Sequence, residues 1–215
     1  VTLNAAGPVT LTGGNGSYAN YGAFAAIGAN NGNATVTVNS NSDITLTSGS
    51  GANAFAAIGS NGSGTLSVNA GVGGSGDLTI INTGNAGNGI GSTGNVTATA
   101  TNNILVKDAL IYGGGTLHVT ATNNLSVTAV NAATSLTSVG AQTISAKGIA
   151  LTGGGGASAN VSAQITQSGA AVQSITAGAN GIALNAGSGT GGGNSATISQ
   201  TNAAGSQTIV VNGGN

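Results

Sequence analysis

Three short segments return in a fixed order along this chain, about every thirty residues. Ala23-Phe-Ala-Ala-Ile-Gly28 comes back unchanged as Ala54-Phe-Ala-Ala-Ile-Gly59, 31 positions later. Thr35-Val-Thr-Val-Asn39 comes back as Thr65-Leu-Ser-Val-Asn69, and Asp43-Ile-Thr-Leu-Thr47 as Asp77-Leu-Thr-Ile-Ile81. A period of this length means stacked units, each burying its apolar face only against its neighbours. Within each aliphatic pair of the second and third segments the residues are spaced by two, so they share one side of a strand.

The pairs can be followed to the end of the chain. They are Val1/Leu3 and Val9/Leu11, Val36/Val38 and Ile44/Leu46, Leu66/Val68 and Leu78/Ile80, Val96/Ala98 and Ile104/Val106, then Leu117/Val119 and Leu125/Val127. Ile144/Ala146 with Ile149/Leu151, Ile175 with Ile182/Leu184, and Ile209/Val211 complete the series, while a third face carries Phe24/Ile27, Phe55/Ile58 and Ile90. Three strands per unit, joined by Gly/Asn/Ser turns, predict an all-β fold: a single-stranded parallel β-solenoid of about seven coils. Right-handed winding is expected because parallel crossovers favour it. The coils run to roughly thirty residues, with one shorter. From Val96 to Leu117 is only 21 positions. This spacing predicts loss of the third strand there, with Asp108-Ala-Leu-Ile-Tyr112 and Gly113-Gly-Gly115 cutting the corner. One continuous domain over residues 1–215 is expected, with a change of repeat style near 107–140. After it Gln142-Thr-Ile144 recurs as Gln173-Ser-Ile175 and Gln207-Thr-Ile209.

Composition excludes the competing classes. Gly, Asn, Thr, Ser and Val are poor helix formers, and 41 Gly with a single Pro fit neither helix nor collagen. A sandwich or propeller needs a larger aromatic core than two Phe and three Tyr supply. No apolar run is long enough for a membrane helix. Only Asp43, Asp77, Asp108, Lys107 and Lys147 are charged, against about a quarter of residues in an ordinary domain. Two lysines cannot form a nucleic-acid-binding patch. A net charge near neutrality opposes self-association only weakly. Beginning at Val1 rather than Met, the chain is expected to be a processed or excised piece of something larger.

The polar residues offer few chemical candidates. Asp43 and Asp77 occupy equivalent positions and are the one candidate metal site, two stacked carboxylates binding calcium weakly. The competing reading is that both cap turns, which Asn103 at the third equivalent position favours. Asn39, Asn69, Asn103 and Asn124 are expected to stack their amides into ladders. His118, between Leu117 and Val119, should face outward without a second ligand. Lys107-Asp108 reads as a solvated turn. Tyr18, Tyr21 and Tyr112 are adhesive contacts or corner packing. Asn-x-Ser/Thr glycosylation sequons stand at Asn15, Asn33, Asn61, Asn95, Asn124 and Asn160. No cofactor is implied.

Gly32-Asn-Ala-Thr-Val-Thr-Val38, Asp43-Ile-Thr-Leu-Thr47, Gly94-Asn-Val-Thr-Ala-Thr99 and Asn123-Asn-Leu-Ser-Val127 resemble the β-helix shaft repeats of filamentous-haemagglutinin-type bacterial adhesins. The resemblance implies a non-enzymatic structural segment of an extracellular fibre or surface adhesin, with host or surface glycans as further partners. Asn-Pro-Asn secretion motifs of that family are not in this stretch, whose only proline is Pro8. Two alternatives rest on weaker resemblances. Thr-x-Thr at Thr35/Thr37, Thr45/Thr47, Thr97/Thr99/Thr101 and Thr120/Thr122 is similar to the arrays of ice-binding solenoids. Carbohydrate-active β-helix enzymes share the architecture but rely on clustered Asp with Arg or Lys. Val1 and Leu3 at one end, and Ile209 and Val211 at the other, stop in mid-pattern. They are expected to pair, with further coils or head to tail with another copy.

Overall fold

The computed structural model describes residues 1–15, 17–18, 21–29, 33–51, 54–83, 88–155, 160–189 and 192–213. Regular structure among them is all β, with no helix. There are a 13-stranded sheet, a seven-stranded sheet, and one small antiparallel pair of Ser17–Tyr18 with Tyr21–Gly22. Every pairing within the two larger sheets is parallel, as in Val36–Ser40 on Leu66–Ala70. Val, Ile and Thr alternate along these strands, and such β-branched side chains suit a pleated, half-buried surface.

The pairing advances by three strands at a time. Val36–Ser40 lies between Thr2–Ala5 and Leu66–Ala70. Ile44–Thr47 lies between Val9–Thr12 and Leu78–Ile81. Ala56–Ser60 lies between Ala25–Ala29 and Gly89–Ser92. Three columns of stacked strands result. The first continues through Val96–Ala100, Leu117–Ala121, residues 142–146 and 172–177, and Ser206–Val211. The second continues through Ile104–Lys107, Asn124–Thr128, and residues 148–152 and 181–185. The third continues through Leu110–Gly113, Thr134–Ser138, Ala163–Gln167 and Ala196–Gln200. The first two columns belong to one sheet because Gln142–Thr152 and Val172–Asn185 each run through both.

The inward members of the pairs form one hydrophobic cluster running from Val9 to Ala177. Ile44, Leu46, Leu66, Leu78, Ile80, Leu117 and Leu125 have no exposed surface. Coverage comes from the coil on either side, so the expected core thins at both ends. Val1, Leu184, Ile209 and Val211, expected inside, are 59%, 49%, 45% and 48% exposed. Phe24 also departs from expectation. On its strand, inward positions are those of Ile27 and Ile58; Phe24 and Phe55 have the opposite parity. Their rings stack outside, 4.9 Å apart and 7° from parallel.

The short coil corrects a second expectation. Its third strand is not lost: Leu110–Gly113 pairs with Gly89–Ser92 and Thr134–Ser138. What shrinks is the connection between the second and third columns, to Asp108 and Ala109. Asp108 makes this sharp bend in the left-handed region, with φ of 53°. Corners elsewhere depend on glycine for a different reason. A Cβ on Gly94 would lie 2.3 Å from the carbonyl oxygens of both Ser63 and Gly64 in the coil below.

Leu78 sits between Ile44 and Ile104 with no exposed surface. Leu78→Ala should cost about 2–5 kcal/mol, since flanking coils cannot close the cavity without breaking register. Chemical denaturation would measure this; a loss below about 1 kcal/mol would contradict the packing described.

Candidate functional site

The side chains that could carry chemistry are organised by the same stacking. At the corner between the first and second columns, Asp43 Oδ1 accepts the Asp77 amide N–H at 2.9 Å. Asp77 Oδ1 accepts the Asn103 amide N–H at 2.9 Å and Asn103 Nδ2 at 3.2 Å. Asn103 Oδ1 in turn accepts the N–H and Nδ2 of Asn124, at 3.2 and 3.3 Å. Gly148 follows, and its missing side chain matters: a Cβ there would lie 2.7 Å from Asn124 Oδ1. Asn180 Nδ2 reaches through the gap to Asn124 Oδ1 at 3.1 Å. The Asp43 and Asp77 carboxylates thus cap amides of the next coil. Among the described residues no group of three or more His, Cys, Asp or Glu could hold a metal ion.

Asn39 and Asn69 belong to a separate ladder on the outer face of the first column. Asn39 Nδ2 donates to Asn4 Oδ1 and Asn69 Nδ2 to Asn39 Oδ1, both at 2.8 Å, and Thr99 Oγ1 donates to Asn69 Oδ1 at 2.7 Å. Two glutamine ladders run along the first and third columns. Gln142, Gln167 and Gln173 are fully buried. Gln173 Nε2 donates to Gln142 Oε1 at 2.7 Å, Gln207 Nε2 donates to Gln173 Oε1, and Gln200 Nε2 donates to Gln167 Oε1. Gln142 and Gln173 also reach carbonyls of the third column, Gln142 Nε2 meeting Leu136 O at 3.1 Å and Thr166 O at 3.2 Å, while Gln167 and Gln200 reach carbonyls of connecting segments. The signal for the first-column glutamines was the recurrence itself: Gln142, Gln173 and Gln207 are in register with Leu117 and fill an apolar slot, whereas Gln167 and Gln200 continue the Ser138 position.

Asp108 is a correction. It is not a solvated turn residue but is 4% exposed. Its Oδ1 accepts three successive backbone amides, from Val130 at 2.6 Å, Asn131 at 3.0 Å and Ala132 at 3.1 Å. Its Oδ2 is buried and, among the described residues, has no hydrogen-bond partner. Three convergent N–H donors compensate a buried carboxylate, and they tie the short coil to the loop of the next one.

Other candidates sit on the surface. His118 is exposed, in register between Thr97 and Thr143. Asn15, Asn33, Asn61, Asn95, Asn124 and Asn160 are all exposed. Asn15 Oδ1 accepts Ser50 Oγ at 3.1 Å, and Asn95 Oδ1 accepts the Thr116 N–H at 2.9 Å. Tyr18 and Tyr21 are in register with each other in the small antiparallel pair, and Tyr112 is half-buried in register with Gly91. Thr10, Thr45 and Thr79 align along the second column, where Leu105 then interrupts them. Beside the Phe24–Phe55 stack lies a groove of about 340 Å³, floored by Ala26, Ala57, Gly28, Gly59 and Gly91.

The two ends expose unpaired strand edges. At one, Ser206–Val211 is exposed at every residue. At the other, Thr2–Ala5 alternates between exposed and half-buried. No charged side chain lies on either edge strand.

Asp108→Ala should cost about 1–3 kcal/mol, because three amides lose their acceptor. Asp108→Asn keeps Oδ1 and removes the buried charge, so it should stay within about 1 kcal/mol of the parent. Denaturation of both variants separates the cases; equal losses would make the charge, not the acceptor geometry, the important element.

No family model matches the chain, and neither the curated proteins nor the solved structures contain a match to it.

Proposed function

We propose that this chain is a right-handed, single-stranded parallel β-solenoid of about seven coils that serves as a structural, non-enzymatic segment of an extracellular bacterial fibre or surface adhesin. The observation that carries this reading is the stacking itself: the strands of the two larger sheets lie parallel and in register on their equivalents in neighbouring repeats. An unpaired edge of such a stack, with neither charge nor proline to blunt it, is a template for further strands of the same kind. Three-strand periodicity of pairing supports the solenoid architecture, since each coil then buries its apolar pairs only against its neighbours.

A structural role also accounts for where the polar groups go. The Asp43 and Asp77 carboxylates are spent on amides of the next coil, and Asp108 on three amides of another. The partner is another copy of the chain or further coils of the same kind. Surface display is the setting suggested by the resemblance of the repeats to adhesin shafts, with glycans as further partners.

End-to-end stacking is tested by sedimentation and electron microscopy of the isolated chain. Rods that lengthen with protein concentration are expected. A particle that stays about 35 Å long, seven coils at ~4.8 Å each, and monomeric at all concentrations would overturn the reading.

A further inference from the structure

We infer that two copies of this chain associate side by side through the outer face of the third column, the Phe24–Phe55 ridge of each seated in the glycine hollow of the other. The inference goes beyond end-to-end stacking and does not depend on it. On two neighbouring levels of this column the outward positions run large, small, empty. They are Phe24, Ala26 and Gly28 on one, and Phe55, Ala57 and Gly59 on the next. Phe24 is 57% exposed, its ring stacked on that of Phe55. The hollow beside this ridge continues along the column over Gly91 as far as Leu110.

Glycine inside a strand weakens it, and it marks a bend or a place where another surface approaches closely. Gly28 is required by the fold itself, since a Cβ there would lie 2.3 Å from the Gly59 carbonyl oxygen. Gly91 is not. Its Cβ would meet nothing nearer than 3.7 Å, and its backbone is not left-handed. Internal packing therefore leaves the bare floor at Gly91 unexplained, and an approaching surface explains it. The same face supplies one that fits. A two-fold rotation about a line parallel to the column, running over Ala26 and Ala57, sets Phe24 of one copy over Gly28 of the other. Phe55 then lies over Gly59, beside Gly91, and the alanines face each other. Ridge and hollow are separated by about 13 Å along the strand, with alanine midway, so both ridges seat at once. Rotation about a line along the strands would set ridge on ridge. The two copies therefore run parallel.

Charge and area are compatible with this occupant. No charged side chain lies on any strand of the third column, so the face meets its own copy without like-charge repulsion. Parallel copies keep every level of the column opposite its counterpart, and the polar levels of Ser135/Thr137 and Gln164/Thr166 extend the contact beyond Leu110. Seven strands ~4.8 Å apart and about 16 Å long let two copies cover about 1,100 Å² together, close to the low end of specific interfaces. The pair is accordingly concentration-dependent. It is also isologous, so it closes at two copies and gives no open series of its own.

The chain has no cysteine, so one substitution reports the two-fold directly. Ala57 lies on the axis, and facing sheets stand about 10 Å apart. A thiol-specific bifunctional reagent of about that reach should join Ala57→Cys to its counterpart. Covalent dimers and nothing larger are expected on a denaturing gel. Thr120→Cys, exposed on the outer face of the first column, should give none. Adding Gly91→Leu, which fills the hollow, or Phe24→Ser with Phe55→Ser, which removes the ridge, should abolish the Ala57→Cys dimer. Circular dichroism should show both variants still folded, and the surface phenylalanine pair decides the matter if Gly91→Leu is not. No dimer from Ala57→Cys, or as much from Thr120→Cys, would overturn the inference. So would a dimer that survives either change in a folded chain. Dimers from a chain that forms no rods would overturn end-to-end stacking alone, and rods without dimers would overturn the side contact alone.

Discussion

Everything in this structure depends on strands lying in register on their own equivalents, ~4.8 Å apart. Each side chain therefore has its counterpart in the next coil as its nearest neighbour, and only residues compatible with themselves can be repeated. Aliphatic groups satisfy this inside, as in the Ile44, Leu78, Ile104 and Leu125 series. Amides satisfy it where the group is polar, because Asn and Gln carry both a donor and an acceptor. Charges do not: like charges one strand apart repel by roughly 1 kcal/mol even in water, and by more beside protein. The near absence of charge from the sequence follows from this geometry. At the one corner where two carboxylates do stack, the Asp77 amide lies against Asp43 Oδ1, and the series then continues with Asn103 and Asn124.

The interior glutamines extend the same rule. Gln142, Gln173 and Gln207 replace the aliphatic residue at the head of the first column's strands. A lone buried amide would be costly. A stacked one donates to the amide below and to carbonyls of the adjoining column, so it ties two columns together across the core. Directional bonds of this kind fix the register of the later coils more tightly than aliphatic contact alone, which tolerates small slips.

Asp108 shows how a coil loses about ten residues without losing a strand. The connection contracts to two residues only because one of them accepts a left-handed bend and its carboxylate gathers three amides of the following loop. Strand Leu110–Gly113 stays in the third column, so that column is unbroken through the shortest repeat.

Periodicity was sufficient for the strands of the first two columns, their parity and the inward aliphatic pairs between Val9 and Ile175, because the spacing of two and the thirty-residue return are written in the sequence. Amide ladders at Asn39, Asn69, Asn103 and Asn124 were legible for the same reason, as was the outward position of His118. The fate of Asp108 was not, because burial at a corner depends on how the next coil's loop folds over it. The outward stack of Phe24 on Phe55 ran against the expectation that large apolar residues lie inside; strand parity decided it, since Ile27 and Ile58 already fill the inward slots. The third-column strand of the short repeat also belongs to the tertiary structure: Leu110–Gly113 pairs on both sides, in a repeat whose length hid it from the sequence.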